Sequence, residues 1–155
     1  MKLSSLCYLE KDGKYLMLYR NKKKNDENAG KWIGVGGKFE ENESPLECMR
    51  REVLEETGFL VKAATLRSVV TFVSDCFETE YMFLYTVTDF EGKPLECSEG
   101  ELSWIPKDEI YSLSMWEGDR IFLELIAKNE PYFDLKLVYK GESLVSAILN
   151  GKAIR

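Results

Sequence analysis

The sequence has 155 residues, of which 45% are hydrophobic and 31% are charged. This length and composition predict one globular domain spanning residues 1–155 and exclude fibrous and intrinsically disordered proteins. The formal net charge is −6, from 21 basic and 27 acidic residues. An acidic protein is a poor partner for polymeric nucleic acid, because a basic face supplies most of that affinity.

The absence of histidine excludes several classes of chemistry at once. Ser-His-Asp and Cys-His catalysis, histidine-ligated zinc and imidazole acid–base chemistry all require that residue. Proton transfer must therefore use carboxylates, Lys, Tyr, Cys or metal-bound water. The four cysteines have no C-x-x-C spacing, and no apolar run approaches the roughly 18 residues of a membrane span. We therefore expect free thiols, a cytoplasmic location and no membrane partner.

The first third of the chain predicts a hairpin and then a loop. Two apolar runs, at 3–10 and 15–20, flank an Asp12-Gly13 pair, which is typical of a two-residue hairpin turn. A polar, basic loop follows at 21–30, and a glycine-punctuated stretch occupies 32–37.

The clearest predicted helix begins after Ser44. Ser44 can cap the helix, Pro45 suits its first position, and Glu47 completes a capping box three residues after the cap. We expect the helix to end near Thr57, with Gly58 as a left-handed stop.

The remaining two thirds alternate between strand-like and helical patterns. Strands are predicted at 60–73, 80–88 and 101–105, a second helix at 119–128, and a closing strand pair at 131–140 and 143–149. Strands and helices in this order predict a layered α+β fold.

The first predicted helix carries an acidic cluster. At about 100° per residue, Glu52, Glu55 and Glu56 lie within roughly 100° of arc on one side. A different side, which we expect to face the core, carries Leu46, Met49, Val53 and Thr57. Like charges at these spacings cost about 0.2–0.5 kcal/mol per pair. Either a hard divalent cation offsets this repulsion, or the glutamates form a solvated acidic face.

The spacing upstream of the acidic cluster resembles a known motif. Five residues separate Gly37 from Glu43, and seven more separate Glu43 from Arg51. Residues 51–59 then read Arg-Glu-Val-Leu-Glu-Glu-Thr-Gly-Phe. This resembles the Nudix box at every specified position. The resemblance implies a Nudix fold, an α/β/α sandwich with a mixed β-sheet and a loop-helix-loop box. It also implies hydrolysis of a nucleoside diphosphate linked to another group, with Mg²⁺ or Mn²⁺ and a water nucleophile.

The resemblance implies a role for each matching residue of the box. Glu52, Glu55 and Glu56 match the metal-ligating and catalytic carboxylates, and the Gly37 carbonyl matches a further ligand. Arg51 matches the residue that orients the glutamates, and Glu43 matches the one that stabilises the loop-helix-loop.

Relatives commonly take a general base from a glutamate in a late loop. Glu96, Glu99 and Glu101 occupy that region. We favour Glu99, as base and additional metal ligand, with Glu101 as the competitor and Glu56 as another possible base.

Within the family the chain is most similar to MutT-type enzymes, which hydrolyse oxidised purine nucleoside triphosphates. The similarity lies in 30–38 and 115–119. In such enzymes a Trp and two acids bind the purine; Trp116 and Asp119 match the Trp and the second acid. Gly118 replaces the first acid, and Ile33 stands where an Asn is used. The other expected substrate contacts are Phe72 and Met82 at the base and Arg20 and Lys38 at the phosphates.

The expected reaction is Mg²⁺- or Mn²⁺-dependent cleavage of a nucleotide such as 8-oxo-dGTP to the monophosphate and pyrophosphate. Alternative substrates are another nucleoside triphosphate, dihydroneopterin triphosphate or a nucleotide sugar. A third alternative is a non-catalytic module that senses a nucleotide. The expected partner is a small nucleotide, bound by a monomer or homodimer.

Overall fold

The computed structural model describes residues 1–95, 97 and 100–155. Within these residues the chain forms ten strands and two α-helices. Their bounds are β1 (Lys2–Lys11), β2 (Lys14–Tyr19), β3 (Trp32–Ile33), β4 (Val35–Lys38), α1 (Pro45–Thr57), β5 (Phe59–Ser74), β6 (Glu80–Gly92), β7 (Glu101–Pro106), α2 (Glu117–Ala127), β8 (Phe133–Lys140), β9 (Ser143–Leu149) and β10 (Lys152–Ala153). A short 3₁₀ turn at Ile110–Ser112 precedes α2. The predicted elements occur in the predicted order, whereas β3, β4, β10 and the 3₁₀ turn were not predicted.

The strands form a mixed sheet with the order β10-β9-β8-β5-β6-β1-β2-β3. Strand β1 runs parallel to β6 and antiparallel to β4 and β2. Strand β5 runs antiparallel to β6 and parallel to β8, and β7 pairs with β2. Because β1 is shared between β6 and β4, it brings the β4 backbone beside the centre of the sheet.

Alternation along β1 explains the layers. Leu6 and Tyr8 lie in the hydrophobic cluster that contains the buried face of α2. Cys7 and Leu9 lie in a second cluster with Met49 and other α1 residues. Successive side chains of a strand point to opposite faces, so α1 and α2 cover opposite faces of the sheet. The molecule is therefore the α/β/α sandwich that the sequence predicted.

The predicted hairpin forms at residues 12 and 13. Asp12 and Gly13 both have positive φ, 52° and 74°, and Lys11 pairs directly with Lys14. Positive φ at both central positions is the conformation whose twist matches the flanking strands, and Asp-Gly adopts it readily.

The boundaries of α1 are also confirmed. The Ser44 hydroxyl accepts a hydrogen bond from the Glu47 amide at 3.1 Å, and the Glu47 carboxylate accepts one from the Ser44 amide at 2.9 Å. Gly58 ends the helix with φ 81°, and its amide donates to the Leu54 carbonyl. Each end of the helix therefore has a cap of the predicted type.

The predicted core face of α1 is wrong at Leu46, which is 37% exposed. The buried residues of α1 are Cys48, Met49, Val53, Glu56 and Thr57. The Cys48 thiol lies 3.3 Å from the Ser5 hydroxyl and 3.6 Å from the Gly37 carbonyl. Packing against β1 and β4 thus rotates the buried stripe toward Cys48 and Glu56 and leaves Leu46 at its margin.

The second helix begins two residues before the predicted start, because Trp116 already occupies the N-cap position. Phe122, Leu123 and Ile126 form its buried face. In the part of the chain that the structure describes, no helix is long and apolar enough to cross a membrane.

Candidate active site

The three glutamates of α1 have different environments. Glu56 is only 6% exposed, and its carboxylate accepts a hydrogen bond from the Gly36 amide at 3.1 Å. Glu52 is half-buried and accepts from the Arg51 guanidinium at 2.8 Å. The Glu55 side chain is 58% exposed and lies 3.3 Å from the same guanidinium nitrogen. The helix therefore presents one carboxylate to β4, one at the mouth of the site and one to solvent.

Arg51 forms hydrogen bonds with several groups of this acidic region. Its guanidinium donates two hydrogen bonds to Glu43, at 2.6 and 2.9 Å, and one to the Lys38 carbonyl at 3.0 Å. The bonds from Arg51 lower the pKa of the Glu43 carboxyl to about 2, and the same bonds raise the pKa of Arg51. Arg51 therefore fixes the loop before α1 to the middle of the helix.

One guanidinium faces more negative charge than it can neutralise. The Arg51 side chain forms ion pairs with Glu40, Glu43, Glu52 and Glu55. Four carboxylates against one cation leave an excess of negative charge beside the glycines of β4. Such an excess of oxygen ligands attracts hard cations. Among the described side chains, however, no group of three or more acids or cysteines already converges as a metal cluster.

The glycines of β4 let α1 and β1 approach the same backbone. A Cβ on Gly36 would lie 1.9 Å from the Ser5 carbonyl oxygen. A Cβ on Gly37 would lie 2.5 Å from the Glu52 carboxylate. The absence of a side chain at Gly37 therefore places the Glu52 carboxylate directly against the β4 main chain.

A cleft of about 690 Å³ joins this acidic region to an aromatic pocket. Its acidic end is lined by Gly36, Gly37, Arg51 and Glu52. Its aromatic end is lined by Phe72, Met82, Trp116, Asp119 and Tyr139. A cleft of this volume accommodates a small organic ligand.

The aromatic end is built around Tyr139. The Trp116 ring meets the Tyr139 ring edge-on at 5.3 Å between centroids, and Phe72 stacks on Tyr139 at 6.4 Å. The Tyr139 hydroxyl accepts a hydrogen bond from the Gly118 amide at 2.8 Å. A Cβ at position 118 would lie 2.4 Å from Leu137 Cδ1 and 2.7 Å from that hydroxyl, so Leu137 and Tyr139 together occupy the space that a side chain at 118 would need.

Asp119 is the buried acid of the pocket. Its residue is 4% exposed, and within the described residues its carboxyl group has no hydrogen bond or ion pair. Burial and the negative charge of Glu80 raise the pKa of this carboxyl to about 8, against a smaller opposing effect of Lys31. Asp119 is therefore mostly protonated at pH 7, and in that form its carboxyl group can both donate and accept a hydrogen bond.

The other predicted substrate contacts also line the cleft, in different settings. Arg20 is buried at the end of β2, where its guanidinium donates to the Asp26 carboxylate at 2.7 Å. Ile33 is buried beside Leu18, and Lys38 is exposed at the end of β4. All three predicted contacts border the same cleft.

The three candidate general bases of the late loop do not all lie among the described residues. Glu96 and Glu99 lie outside the described residues. Glu101 is exposed at the start of β7, opposite Tyr19 of β2.

The residues of the cleft that were not predicted from the sequence include Asp26, Asn28, Glu80 and Tyr139. Asp26 and Asn28 lie in a polar loop whose composition gave no indication of a site. Tyr139 follows the alternating pattern of β8, in which every second residue is buried, so the pattern could have placed it inward.

Comparison with known proteins identifies the family. The family model of the NUDIX domain matches residues 3–126 of the chain. The chain belongs to the Nudix family. It is therefore a hydrolase of anhydrides linked to a nucleoside diphosphate. Nudix hydrolases generally use divalent metal ions, which agrees with the excess of carboxylates around Arg51.

Individual Nudix proteins resemble the chain over most of its length. It is 32% identical to the uncharacterized Nudix hydrolase YvcI of Bacillus subtilis, over 88% of this chain and 85% of that protein. It is 31% identical to the oxidized purine nucleoside triphosphate hydrolase of Danio rerio, over 84% and 83% respectively. The crystal structure of the MutT protein from Bacillus halodurans superposes with a TM-score of 0.86 at 28% identity, covering 97% of this chain and 98% of that one.

Proposed function

We propose that this Nudix hydrolase cleaves oxidised purine nucleoside triphosphates, such as 8-oxo-dGTP, to the monophosphate and pyrophosphate with Mg²⁺ or Mn²⁺. The observation that carries the proposal is the continuous cleft that has Glu52 and Gly37 at one end and Trp116 and Asp119 at the other. A purine at one end would direct its phosphates toward the other. The similarity to the Danio rerio hydrolase supports the same substrate class.

The residues of the box fit a divalent cation. Glu52, Glu55, Glu56 and the Gly37 carbonyl would hold it, and all four are hard oxygen donors. The close approach of the Glu52 carboxylate to Gly37 supports this set, since a Cβ at 37 would separate the two groups. A cation held there would neutralise charge on the polyphosphate and lower the pKa of an attacking water.

The protein's own groups orient this chemistry. Arg51 fixes Glu52 by a 2.8 Å hydrogen bond, and the Gly36 amide fixes Glu56. We propose Glu99 as the general base, with Glu56 and Glu101 as alternatives. Glu56 is favoured among the described alternatives because its carboxylate is buried beside β4, whereas Glu101 is exposed.

The aromatic end of the cleft fits a purine. Trp116 offers a ring for stacking, and Phe72 and Met82 offer apolar walls. The neutral Asp119 carboxyl can donate a hydrogen bond to a keto oxygen and accept one from a ring N–H. Arg20 and Lys38 border the cleft as the proposed phosphate contacts. Lys38 is exposed and adds positive charge, whereas the charge of Arg20 is balanced by its ion pair with Asp26.

Two features favour a broader substrate range as the second candidate. Ile33 is buried and apolar, and Gly118 has no side chain, so neither side chain can hydrogen-bond a base. The alternatives are another nucleoside triphosphate, dihydroneopterin triphosphate or a nucleotide sugar.

A panel of these substrates separates the two candidates. With Mg²⁺ present, we expect kcat/KM for 8-oxo-dGTP to exceed that for dGTP by about tenfold, the effect of one well-made hydrogen bond. Release of pyrophosphate and monophosphate is measured for each compound. Turnover of 8-oxo-dGTP no faster than dGTP would contradict the preference for oxidised purines, while turnover of another member of the panel would support the second candidate.

Alanine substitutions at the two β4 glycines should affect different properties, the stability of the fold at Gly36 and metal binding at Gly37. Gly36→Ala forces a Cβ against the Ser5 carbonyl of a central strand, so we expect a loss of about 1–3 kcal/mol in the free energy of unfolding. Gly37→Ala meets only the end of the Glu52 side chain, which can rotate away. We expect that variant to keep its melting temperature and to bind Mn²⁺ more weakly.

Thermal unfolding and Mn²⁺ calorimetry on both glycine variants test this contrast. Unchanged Mn²⁺ affinity in a folded Gly37→Ala protein would count against Glu52 and Gly37 as neighbouring ligands.

A further inference from the structure

The side chain of Trp116 is held by three neighbours from different parts of the chain. Its indole N–H donates a hydrogen bond to the Asn28 side-chain oxygen at 2.8 Å. The Lys31 ammonium lies 4.7 Å from the centre of the ring, and the Tyr139 ring contacts it edge-on. Glu142 holds Lys31 through an ion pair of 2.8 Å. One ring face thus carries a cation, so a nucleobase would have to stack on the other face.

Asn28 is itself fixed within its loop. The main-chain amide of Asn28 donates a hydrogen bond to the Asp26 carboxylate at 3.1 Å, and its main-chain carbonyl accepts one from the Lys31 main-chain amide at 3.0 Å. The second oxygen of Asp26 accepts from Arg20 at 2.7 Å, and both side chains of this ion pair are buried. A row of hydrogen bonds therefore runs from Arg20 through Asp26 and Asn28 to Trp116.

The direction of these bonds sets what Asn28 can do. An indole N–H is only a donor, so Asn28 must present its oxygen to Trp116. The Trp116 ring is contacted at its N–H by Asn28, on one face by Lys31 and edge-on by Tyr139, so few ring orientations are possible. Because this order exists before a ligand arrives, a stacking base has less conformational entropy to remove.

We propose that Asn28 is a positioning residue that sets the plane of Trp116 for stacking of the nucleobase, with Asp26 and Arg20 holding Asn28 in place. The proposal rests on the proposed function insofar as the ligand is a purine nucleotide. The hydrogen bond that carries it is independent of the substrate. Asn28 lines the same cleft as Trp116 and has no other assigned role.

The test compares Asn28→Ala with Asn28→Asp, which keeps an acceptor oxygen at the same distance from the main chain. Asn21→Ala, in the same loop and exposed, is the matched control. The first readout is the ¹H–¹⁵N indole resonance of Trp116, assigned among the three tryptophans with Trp116→Phe. The second is KM and kcat for 8-oxo-dGTP and dGTP.

We expect Asn28→Ala to shift the Trp116 indole resonance and raise KM about 3- to 10-fold, the range for loss of one neutral hydrogen bond, with kcat within twofold of the parent. Asn28→Asp should restore both values, and Asn21→Ala should change neither. An unmoved indole resonance, or a moved resonance with unchanged KM, overturns the positioning role. If neither nucleotide is turned over by the parent, the proposed function fails, and the indole resonance with KM for the nucleotide that the panel identifies still decides the role of Asn28.

Discussion

Replacement of Glu56 by Gln is expected to lower kcat for nucleoside triphosphate hydrolysis about 10³-fold without unfolding the protein. The Glu56 carboxylate is buried beside β4 and accepts a hydrogen bond from the Gly36 amide. A glutamine has the same size and keeps an oxygen for that bond. It loses the negative charge that a cation ligand or a general base needs. Pyrophosphate release measures the effect.

The same change on the other helix, Glu124→Gln, is the control, because Glu124 is exposed on α2. Calorimetry with Mn²⁺ and a nonhydrolysable nucleotide then distinguishes the two roles of Glu56. Weakened metal binding indicates a ligand, whereas normal binding with lost turnover indicates a base. A fully active Glu56→Gln protein would rule out both.

The buried Asp119 should make the stability of the protein fall as pH rises. Its folded pKa is about 8, against 3.8 for the unconstrained side chain. Between these values the folded state binds more protons than the unfolded state, so the free energy of unfolding decreases with pH. The stabilisation is full below about pH 4 and is lost as pH rises through about 8. Each unit of difference corresponds to about 1.4 kcal/mol, so the loss over the whole range is about 6 kcal/mol.

Asp119→Asn should abolish this dependence and be more stable than the parent at pH 8. The groups that face Asp119 are Glu80, Lys31, Tyr8 and Tyr139. The chain has no histidine, so imidazole titration cannot obscure the interval from pH 5.5 to 8 that the measurement uses. Melting temperatures across that interval check the prediction, with the exposed Asp89→Asn as the control. Parallel pH curves for the parent and Asp119→Asn would show that Asp119 is already ionised.

The sequence was most informative where the determinants are local. The caps of α1 depend on Ser44, Glu47 and Gly58, and each acts within four residues of its partner. The hairpin at Asp12 and Gly13 is equally local. The order of acids in the Nudix box is a linear pattern, and it was sufficient to predict the family and the sandwich fold.

The unpredicted part depends on contacts between distant segments. Asn28 lies 88 residues before Trp116 in the sequence and gives no local signal of that contact. Burial and the charge of Glu80, which lies on β6, raise the pKa of Asp119 on α2. No local sequence pattern distinguishes Asn28 from an ordinary loop asparagine or Glu80 from an ordinary strand glutamate. Leu46 was placed in the core by helical periodicity alone, which cannot show how far packing on β4 rotates the helix. Long-range packing decides such positions.

The bond between the Gly118 amide and the Tyr139 hydroxyl constrains how this pocket can diversify. A Cβ at 118 would lie 2.4 Å from Leu137 Cδ1 and 2.7 Å from the Tyr139 hydroxyl, so two neighbouring β8 side chains fill that space. Shortening Tyr139 alone would leave the Leu137 contact in place. Engineering of base selectivity at 118 should therefore start with Leu137 and Tyr139 together, and an acidic or amide residue at 118 should follow in that altered background.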